Sequence, residues 1–209
     1  MNSKIVLFGD GCTGKTTMYQ KICNYSNNEY TFDKKYKATD DYTFKRMQLN
    51  TSFGHIGIDL WDTAGQENHG GKMRDAYLKG ADGVLLFYDV SEKKSVANIP
   101  EWLAQIKRVE PFIPVVVIGN KSDKISDLTQ YDTVKLRECN LQRDIGHSSI
   151  KNFLVSIKND TYVNSKSSFW STVTTHENSK GCLVGLEYLL TKLHNKNITI
   201  SHDDNLPKL

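Results

Sequence analysis

The sequence predicts an α/β fold with a doubly wound, mostly parallel sheet of six strands and helices on both faces. Short runs of β-branched and apolar residues alternate with segments of helical periodicity, and this alternation is typical of βαβ units. Strands are expected at 4–8, 43–51, 56–61, 83–89, 114–119 and 152–156. Ligands of such sheets bind at the carboxyl ends of the strands, so polar motifs that follow these strands are candidates for a functional site.

The strand at 43–51 is expected at an edge of the sheet, because the segment before it is polar and is interpreted as a loop. Helices are expected from about residue 14, near 71–79 and near 98–108. Two segments, roughly 162–175 and 182–194, are candidates for the last packing helix. The second has the better apolar pattern, with one face formed by Leu183, Leu186, Leu189, Leu190 and Leu193.

Composition favours an ordinary globular protein of 209 residues, with 38% hydrophobic and 24% charged residues. We expect one domain over residues 1–195 and a polar tail over 196–209. The net charge of +3 is too small to predict direct nucleic-acid binding. The four cysteines form no CxxC pair, which argues against a zinc site or a disulfide framework. No secretory signal or lipidation motif is recognised, so we expect a soluble monomer in the cytoplasm or nucleus, without a lipid anchor.

Residues 9–16 read GDGCTGKT and fit the phosphate-loop pattern GxxxxGK[ST] between a predicted strand and a predicted helix. Glycines let the backbone N–H groups face phosphates, and the helix N-terminus adds partial positive charge. Lys15 is then expected to bridge the β- and γ-phosphates, and the Thr16 hydroxyl to bind Mg²⁺. A chance glycine-rich turn is the alternative, against which the flanking elements argue. The expected nucleotide-binding residues are Gly11, Cys12, Thr13, Gly14, Lys15, Thr16 and Thr17.

Residues 62–66 read DTAGQ and follow the predicted strand at 56–61. Asp62 is expected to hold Mg²⁺, through a water molecule, because magnesium prefers oxygen ligands. Gly65 is expected to bring its N–H close to a γ-phosphate, since it has no side chain to obstruct the approach. Gln66 is the candidate that orients the attacking water. A turn or helix cap is the alternative role for Asp62.

Residues 120–123 read NKSD and follow the apolar strand at 114–119. The Asp123 carboxylate is expected to accept the ring N–H and the exocyclic amine of guanine, a pair of donors that adenine lacks. Asn120 is expected to contact the base edge and tie the loop together, and the stem of Lys121 to lie along the base. A second base-binding loop has two candidates, Ser156-Ile157-Lys158 and Ser179-Lys180. The first is favoured because a predicted strand precedes it.

With these motifs in order, residues 3–175 resemble the Ras superfamily of small GTPases, with the Ran subfamily closest and the Rab subfamily second. Residues 32–39 (FDKKYKAT) look like the first switch, and residues 61–67 (WDTAGQE) look like the second. The resemblance implies the P-loop NTPase fold in its small G-protein form, with GTP or GDP and Mg²⁺ as ligands. It also implies effector, exchange-factor and GTPase-activating proteins as partners.

By the same resemblance, Thr39 coordinates Mg²⁺ and senses the γ-phosphate, Phe32 lies against the guanine, and Tyr36 closes over the phosphates. Lys15, Thr39 and Gln66 would be the catalytic residues. The sequence departs from the family pattern in the longer loop before Thr39, in Asp40-Asp41 after it, and in Asn68-His69 in the second switch. These departures change the surface that partners contact.

Two functions are therefore predicted from different classes. The first is a slow GTPase switch, in nuclear transport or intracellular trafficking. The second is a GTP- or GDP-loaded docking module with negligible hydrolysis. A nucleotide kinase that shares only the phosphate loop is disfavoured, because the motifs at 62–66 and 120–123 would have no role in it.

Overall fold

The structure, a computed structural model, describes residues 2–25, 39, 41–65, 71–125, 150–162 and 181–201, with the backbone alone at 71–74. Seven strands lie in one sheet within these residues: β1 (Ser3–Gly9), β2 (Tyr42–Thr51), β3 (Gly54–Thr63), β4 (Gly83–Asp89), β5 (Val115–Asn120), β6 (Lys151–Ser156) and β7 (Thr161–Tyr162). Their spatial order is β2-β3-β1-β4-β5-β6-β7. The outer strands β2 and β7 pair antiparallel with β3 and β6, and the other pairs are parallel.

The predicted count of six strands is wrong. All six predicted strands are present, and β2 lies at the sheet edge as predicted. The seventh strand, β7, returns antiparallel to β6 after a turn in which Asp160 has a φ of 53°. Two residues are too few to produce a periodic signal in the sequence, so this strand is visible only in three dimensions.

The central strands form the core of the molecule. Every residue of β4 and of β5 is buried, and Ile5 to Phe8 of β1 are at most 1% exposed. A parallel strand covered on both faces has apolar side chains in both directions, so it appears in the sequence as an unbroken apolar run. The apolar runs in the sequence are therefore sufficient to predict these strands.

Five α-helices are described: α1 (Lys15–Cys23), α2 (Gly71–Leu78), α3 (Lys93–Ala97), α4 (Ile99–Val109) and α5 (Val184–His194). A short 3₁₀ helix, Ser122–Lys124, follows β5. The predicted helix near 98–108 is α4, and the short α3 before it was not predicted. Asn98 separates the two, ending α3 and starting α4. Pro100 is tolerated in the first turn of α4 because its missing N–H has no partner inside the helix there. No helix of the described residues is long and apolar enough to cross a membrane.

Helix α5 is the last packing helix, as the segment 182–194 predicted. Residues 184–190 are all buried, and a Cβ on Gly83 of β4 would come within 2.9 Å of Leu189, so the helix packs closely on the sheet. The rival segment, 162–175, lies outside the described residues apart from Tyr162 in β7. The segment 124–151, whose sequence favours a loop and a poorly patterned helix, also lies largely outside them.

The chain after α5 packs against the β2–β3 hairpin. Ile198 is fully buried, and Ile200 forms an antiparallel bridge with Thr51 at the end of β2. The N–H of Ser52 donates to Thr199 O at 2.9 Å, and the N–H of Ser201 donates to Asn50 O at the same distance. Residues 198–201, which the sequence placed in the polar tail, are thus held against the domain.

Four of the parallel strands have their carboxyl ends at the same edge of the sheet. β1 ends at Gly9, β3 at Thr63, β5 at Asn120 and β6 at Ser156. The sequence motifs begin at or just beside these residues, so the fold collects at one edge the motifs that the sequence distributes over about 150 positions.

Candidate functional site

The loop between β1 and α1 closes around the Lys15 side chain. Lys15 is 5% exposed, and its Nζ donates to the carbonyl oxygens of Gly9 and Asp10 at 2.9 and 2.6 Å. The Thr13 hydroxyl donates to Asp10 O at 2.9 Å. Gly14 precedes α1 with a φ of 100°, and no side chain caps the helix. The first N–H groups of α1 are therefore oriented as in an anion site.

A carboxylate and two hydroxyls meet beside this loop. Asp62 is fully buried at the end of β3, and the Thr39 hydroxyl lies 3.5 Å from its Oδ2. The hydroxyls of Thr16 and Thr39 are 2.9 Å apart. Burial raises the pKa of Asp62, and hydrogen bonding from Thr16, the charge of Lys15 and hydrogen bonding from Thr39 oppose the rise. The cluster consists of oxygen atoms, the donors that a hard cation prefers.

The start of the second predicted switch lies against the phosphate loop. A Cβ on Gly65 would overlap the Lys15 ammonium and would lie 2.5 Å from the carbonyl oxygen of Asp10. Only glycine fits this approach. The structure thus places the Gly65 backbone at the head of Lys15, and the approach of its N–H to a γ-phosphate stays a prediction.

Asn120 joins the loops after β5 and β6 to the phosphate loop. It is 4% exposed, its Nδ2 donates to Thr13 O at 2.9 Å, and its Oδ1 accepts from the N–H of Ile157 at 3.1 Å. A Cβ on Gly14 would overlap its Nδ2, which explains a glycine there. Ser156 Oγ donates to Asp123 Oδ1 at 2.6 Å. Four of the residues predicted at the base therefore form two hydrogen-bonded pairs, Asn120 with Ile157 and Asp123 with Ser156.

A sequence-family model described as Ras family matches residues 4–175 of the chain. The chain belongs to the Ras family. Ras-family proteins are in general GTP-binding switches that hydrolyse GTP, bind Mg²⁺ and interact with regulators and effectors. The match extends from the second residue of β1 through β7 and ends before α5.

The residues of this Ras-family chain fit a magnesium ion. Asp62 Oδ1 is buried and has no hydrogen-bond partner among the described residues. A buried carboxylate oxygen without a donor is costly unless a cation or water meets it. The described residues contain no group of three or more His, Cys, Asp or Glu that could hold a metal. One carboxylate with hydroxyls suits Mg²⁺, which takes its other ligands from phosphates and water.

Two acidic residues of the site were not predicted from the sequence. Asp89, at the end of β4, lies 2.6 Å from Lys121 Nζ, and it accepts hydrogen bonds from the N–H and hydroxyl of Ser91. Burial opposes ionisation, but the bonds from Lys121 and Ser91 prevail and lower the pKa of Asp89. Its position at a strand end was a signal that could have identified it. Asp10, inside the phosphate loop, binds Asn98 and Trp102 of the α3–α4 region.

The remaining predicted site residues lie partly inside and partly outside the described residues. Gln66, Phe32, Tyr36 and the rival pair Ser179-Lys180 lie outside the described residues. Cys12 is exposed in the loop with a φ of 60°, while Gly11 and Thr17 are partly buried beside it. Ile157 is buried, and Lys158 is exposed.

An aromatic cluster lies beside the loops of the site. Tyr42 stacks on Trp61 with 5.0 Å between ring centroids, Phe44 contacts the same ring at 5.0 Å, and Tyr77 lies 5.4 Å from Tyr42. Tyr42 and Phe44 are 46% and 42% exposed. The Tyr77 hydroxyl donates to Asp41, one of the residues at which the sequence departs from the family pattern. The cluster thus links Asp41 and the start of β2 to helix α2.

Proposed function

We propose that this protein is a magnesium-dependent switch that binds GTP, hydrolyses it and changes its loops with the nucleotide. The observation that carries the proposal is the position of Asn120, which bonds the phosphate loop at Thr13 and the loop after β6 at Ile157. A side chain so placed couples recognition of a base to recognition of phosphates. Such coupling is the requirement for a nucleotide site rather than a simple anion site.

Lys15 and the N–H groups of the phosphate loop would hold the phosphates. The Lys15 ammonium is buried beside Gly65, so its charge acts in a region of low water content, where electrostatic interactions are strong. Thr16, Thr39 and Asp62 would hold Mg²⁺, which when bound neutralises charge on the β- and γ-phosphate oxygens. Thr39 and Gly65 belong to separate loops, and both meet the Lys15 and Asp62 region.

Asp123 would select guanine. Ser156 donates to one oxygen of its carboxylate at 2.6 Å, which orients the group and leaves acceptor capacity for the base. An adenine in the same place would leave a carboxylate facing an acceptor, and such mismatches of polar groups give strong discrimination. Lys121, held by Asp89, would lie along the base, with Asn120 at the base edge.

Hydrolysis would use Gln66 to orient water, with Lys15 and Thr39 at the γ-phosphate. Phe32 and Tyr36 would cover the base and phosphates. An arginine from an activating partner adds about 10³–10⁵-fold in proteins of this mechanism, which leaves room for a slow intrinsic rate. We place the switch in nuclear transport or intracellular trafficking, on the resemblance of its switch segments to Ran and, second, to Rab. Effector, exchange-factor and activating proteins would be its partners.

The first experiment is equilibrium binding of fluorescent GDP, with GTP, GDP and ATP as competitors in Mg²⁺. Wild-type protein is expected to bind GDP and GTP and to ignore ATP. The Asp123→Ala variant is expected to lose this preference, while Glu101→Ala, which removes an exposed acid from α4, should match the wild type. Equal binding of ATP by the wild type would refute guanine selectivity. Phosphate release from GTP, measured with and without candidate activators, tests hydrolysis separately.

A second candidate function is a nucleotide-loaded docking module with negligible hydrolysis. The aromatic cluster of Tyr42, Phe44, Trp61 and Tyr77, bonded to Asp41, favours it because large exposed aromatic side chains are typical of protein interfaces. Recovery of a partner by GTP-loaded and GDP-loaded protein separates the two functions. Equal recovery with no phosphate release supports docking alone, and recovery that depends on the nucleotide supports the switch.

A further inference from the structure

Asp10 fixes the phosphate loop to helix α4. Asn98 Nδ2 lies 3.2 and 3.0 Å from the two carboxylate oxygens of Asp10, and Trp102 Nε1 donates to Oδ1 at 2.7 Å. Both donors are neutral and the acceptor is charged, so these are charge-assisted hydrogen bonds. They join residues that are 88 and 92 positions apart in the chain.

The backbone of the same residue positions Lys15. The carbonyl oxygen of Asp10 accepts from Lys15 Nζ at 2.6 Å and from the Thr13 hydroxyl at 2.9 Å. The Gly65 backbone also comes close to this carbonyl. A change in the position of Asp10 would therefore move the ammonium group or break this hydrogen bond.

The donors on α4 are held firmly. Trp102 is 6% exposed, and its ring meets Phe8 of β1 edge to face, with centroids 4.9 Å apart. The N–H of Asn98 donates to Lys94 O at 3.0 Å, and its carbonyl oxygen accepts from the N–H of Trp102 at 3.1 Å. The anchor is thus built from the junction of two helices and a packed indole ring.

We propose that Asp10 is a positioning residue: by binding Asn98 and Trp102 it holds the phosphate loop so that Lys15 reaches the β-phosphate of the nucleotide. This inference rests on the proposed nucleotide binding. It assigns to the Asp10 side chain a task that the loop's glycines and lysine do not perform.

The test compares GDP with GMP, which lacks the β-phosphate. Asp10→Asn keeps the shape of the side chain but removes its charge and sets an amide N–H against Asn98 Nδ2. Loss of hydrogen bonds to a charged group predicts GDP binding about tenfold weaker, with GMP binding unchanged. Asp59→Asn is the matched control, since Asp59 also accepts from three donors, on Arg46 and Asn2, but lies on β3 away from the phosphate loop. It should change the affinity for neither nucleotide.

A reciprocal exchange provides a rescue. Asn98→Asp alone brings two carboxylates together and is expected to weaken GDP binding as well. The double variant Asp10→Asn/Asn98→Asp restores one carboxylate and one amide in the pair, so it should recover most of the lost GDP affinity. A residue that only stabilised the fold would alter GDP and GMP binding together, and the exchange would not restore the difference between them.

Trp102→Phe keeps a ring against Phe8 and removes only the donor, so it serves if Asp10→Asn fails to fold. It removes one of the charge-assisted hydrogen bonds, so it should weaken GDP binding measurably but by less than the roughly tenfold effect of Asp10→Asn, again without changing GMP binding. The positioning role is overturned if wild-type protein binds GDP tightly and the variants keep its GDP-to-GMP affinity ratio, or lose both affinities equally. Wild-type protein that does not prefer GDP to ADP overturns the proposed function itself, and the positioning role with it.

Discussion

The Asn120 side chain donates to the carbonyl oxygen of Thr13 at 2.9 Å and so connects the loop after β5 to the phosphate loop. Its Oδ1 accepts from the N–H of Ile157, so one buried amide serves three loops. Replacing it with alanine would leave two buried backbone groups without partners, each at a cost of about 1–3 kcal/mol.

We therefore expect Asn120→Ala to lower the free energy of unfolding by about 2–4 kcal/mol and to weaken GDP binding. Urea denaturation and titration with fluorescent GDP measure the two effects. Asn152→Ala, which removes a contact with the Tyr88 hydroxyl inside the sheet, is the control and should lower stability without a specific loss of affinity. Unchanged GDP binding by Asn120→Ala would contradict the bridging role.

Asp62→Asn is expected to separate magnesium binding from folding. Burial raises the pKa of Asp62, so the charged carboxylate costs stability at neutral pH, and an amide of the same shape removes that cost. Without Mg²⁺ the variant should be at least as stable as the wild type. The Mg²⁺ concentration that half-maximally slows GDP release should rise at least about tenfold, because the carboxylate expected to hold Mg²⁺ through a water molecule is lost. Asp59→Asn on the same strand should leave this concentration unchanged, and an unchanged value in Asp62→Asn would exclude a role of Asp62 in Mg²⁺ binding.

The Arg46–Asp59 pair predicts a loss of stability in acid. Hydrogen bonding from Arg46 is the main reason that the pKa of Asp59 is lowered from 3.8 to about 2. Burial, the next largest effect, opposes the shift, and hydrogen bonding from Asn2 adds to it. A depressed pKa means that the ionised carboxylate stabilises the fold above pH 3.8, and that this contribution is lost as the pH falls to about 2. The melting temperature, measured at a series of pH values, should therefore depend less steeply on pH in this window for Arg46→Ala than for the wild type. The same dependence of melting temperature on pH in variant and wild type would argue that the pair contributes nothing. About 1 M salt should weaken the pH dependence of the wild type, because Arg46 is exposed.

Ile198 tests whether the chain after α5 belongs to the domain. It is fully buried, and its N–H donates to the Thr191 hydroxyl at 3.0 Å, while Glu187 accepts the N–H of Ile200 at 2.8 Å. Ile198→Ala should lower the free energy of unfolding by about 2–5 kcal/mol, the range for a truncated core isoleucine. Thr199→Ala, at a partly buried neighbour, should cost far less. Equal and small effects in urea denaturation would mean that the segment is not held in solution.

Local sequence was sufficient for six of the seven described strands and for the phosphate loop. The runs in β4 and β5 are apolar at nearly every position because both faces of these strands are buried. The phosphate loop requires glycine where the backbone turns, as at Gly14 with a φ of 100°, and such requirements appear directly as residue types. The prediction of a packing helix in 182–194 likewise followed from leucine periodicity, and the structure confirms that helix, whereas the rival segment lies outside the described residues beyond Tyr162.

The contacts that complete the site were not predictable in this way. Asp89 stands at a strand end, which is a signal for the residue itself, but no local pattern predicts its pairing with Lys121 or the pairing of Asp10 with Trp102, because each pair joins positions far apart in the chain. The short strand β7, the break between α3 and α4 at Asn98, and the packing of residues 198–201 on the hairpin also depend on neighbours distant in sequence. The sequence of a segment reflects whether that segment is buried or turns, but it does not specify which distant residues the segment contacts.

The sequence alone therefore determined the class of fold, the phosphate loop and the candidate residues for base and metal. The tertiary structure alone decided which of these residues touch, since the parallel strands bring their carboxyl ends to one edge of the sheet. Thr16 and Thr39 are 23 positions apart, yet their hydroxyls lie 2.9 Å from each other beside a buried carboxylate. That proximity results from packing of the whole core, because the energy that positions these polar groups comes mainly from burial of the apolar strands beneath them.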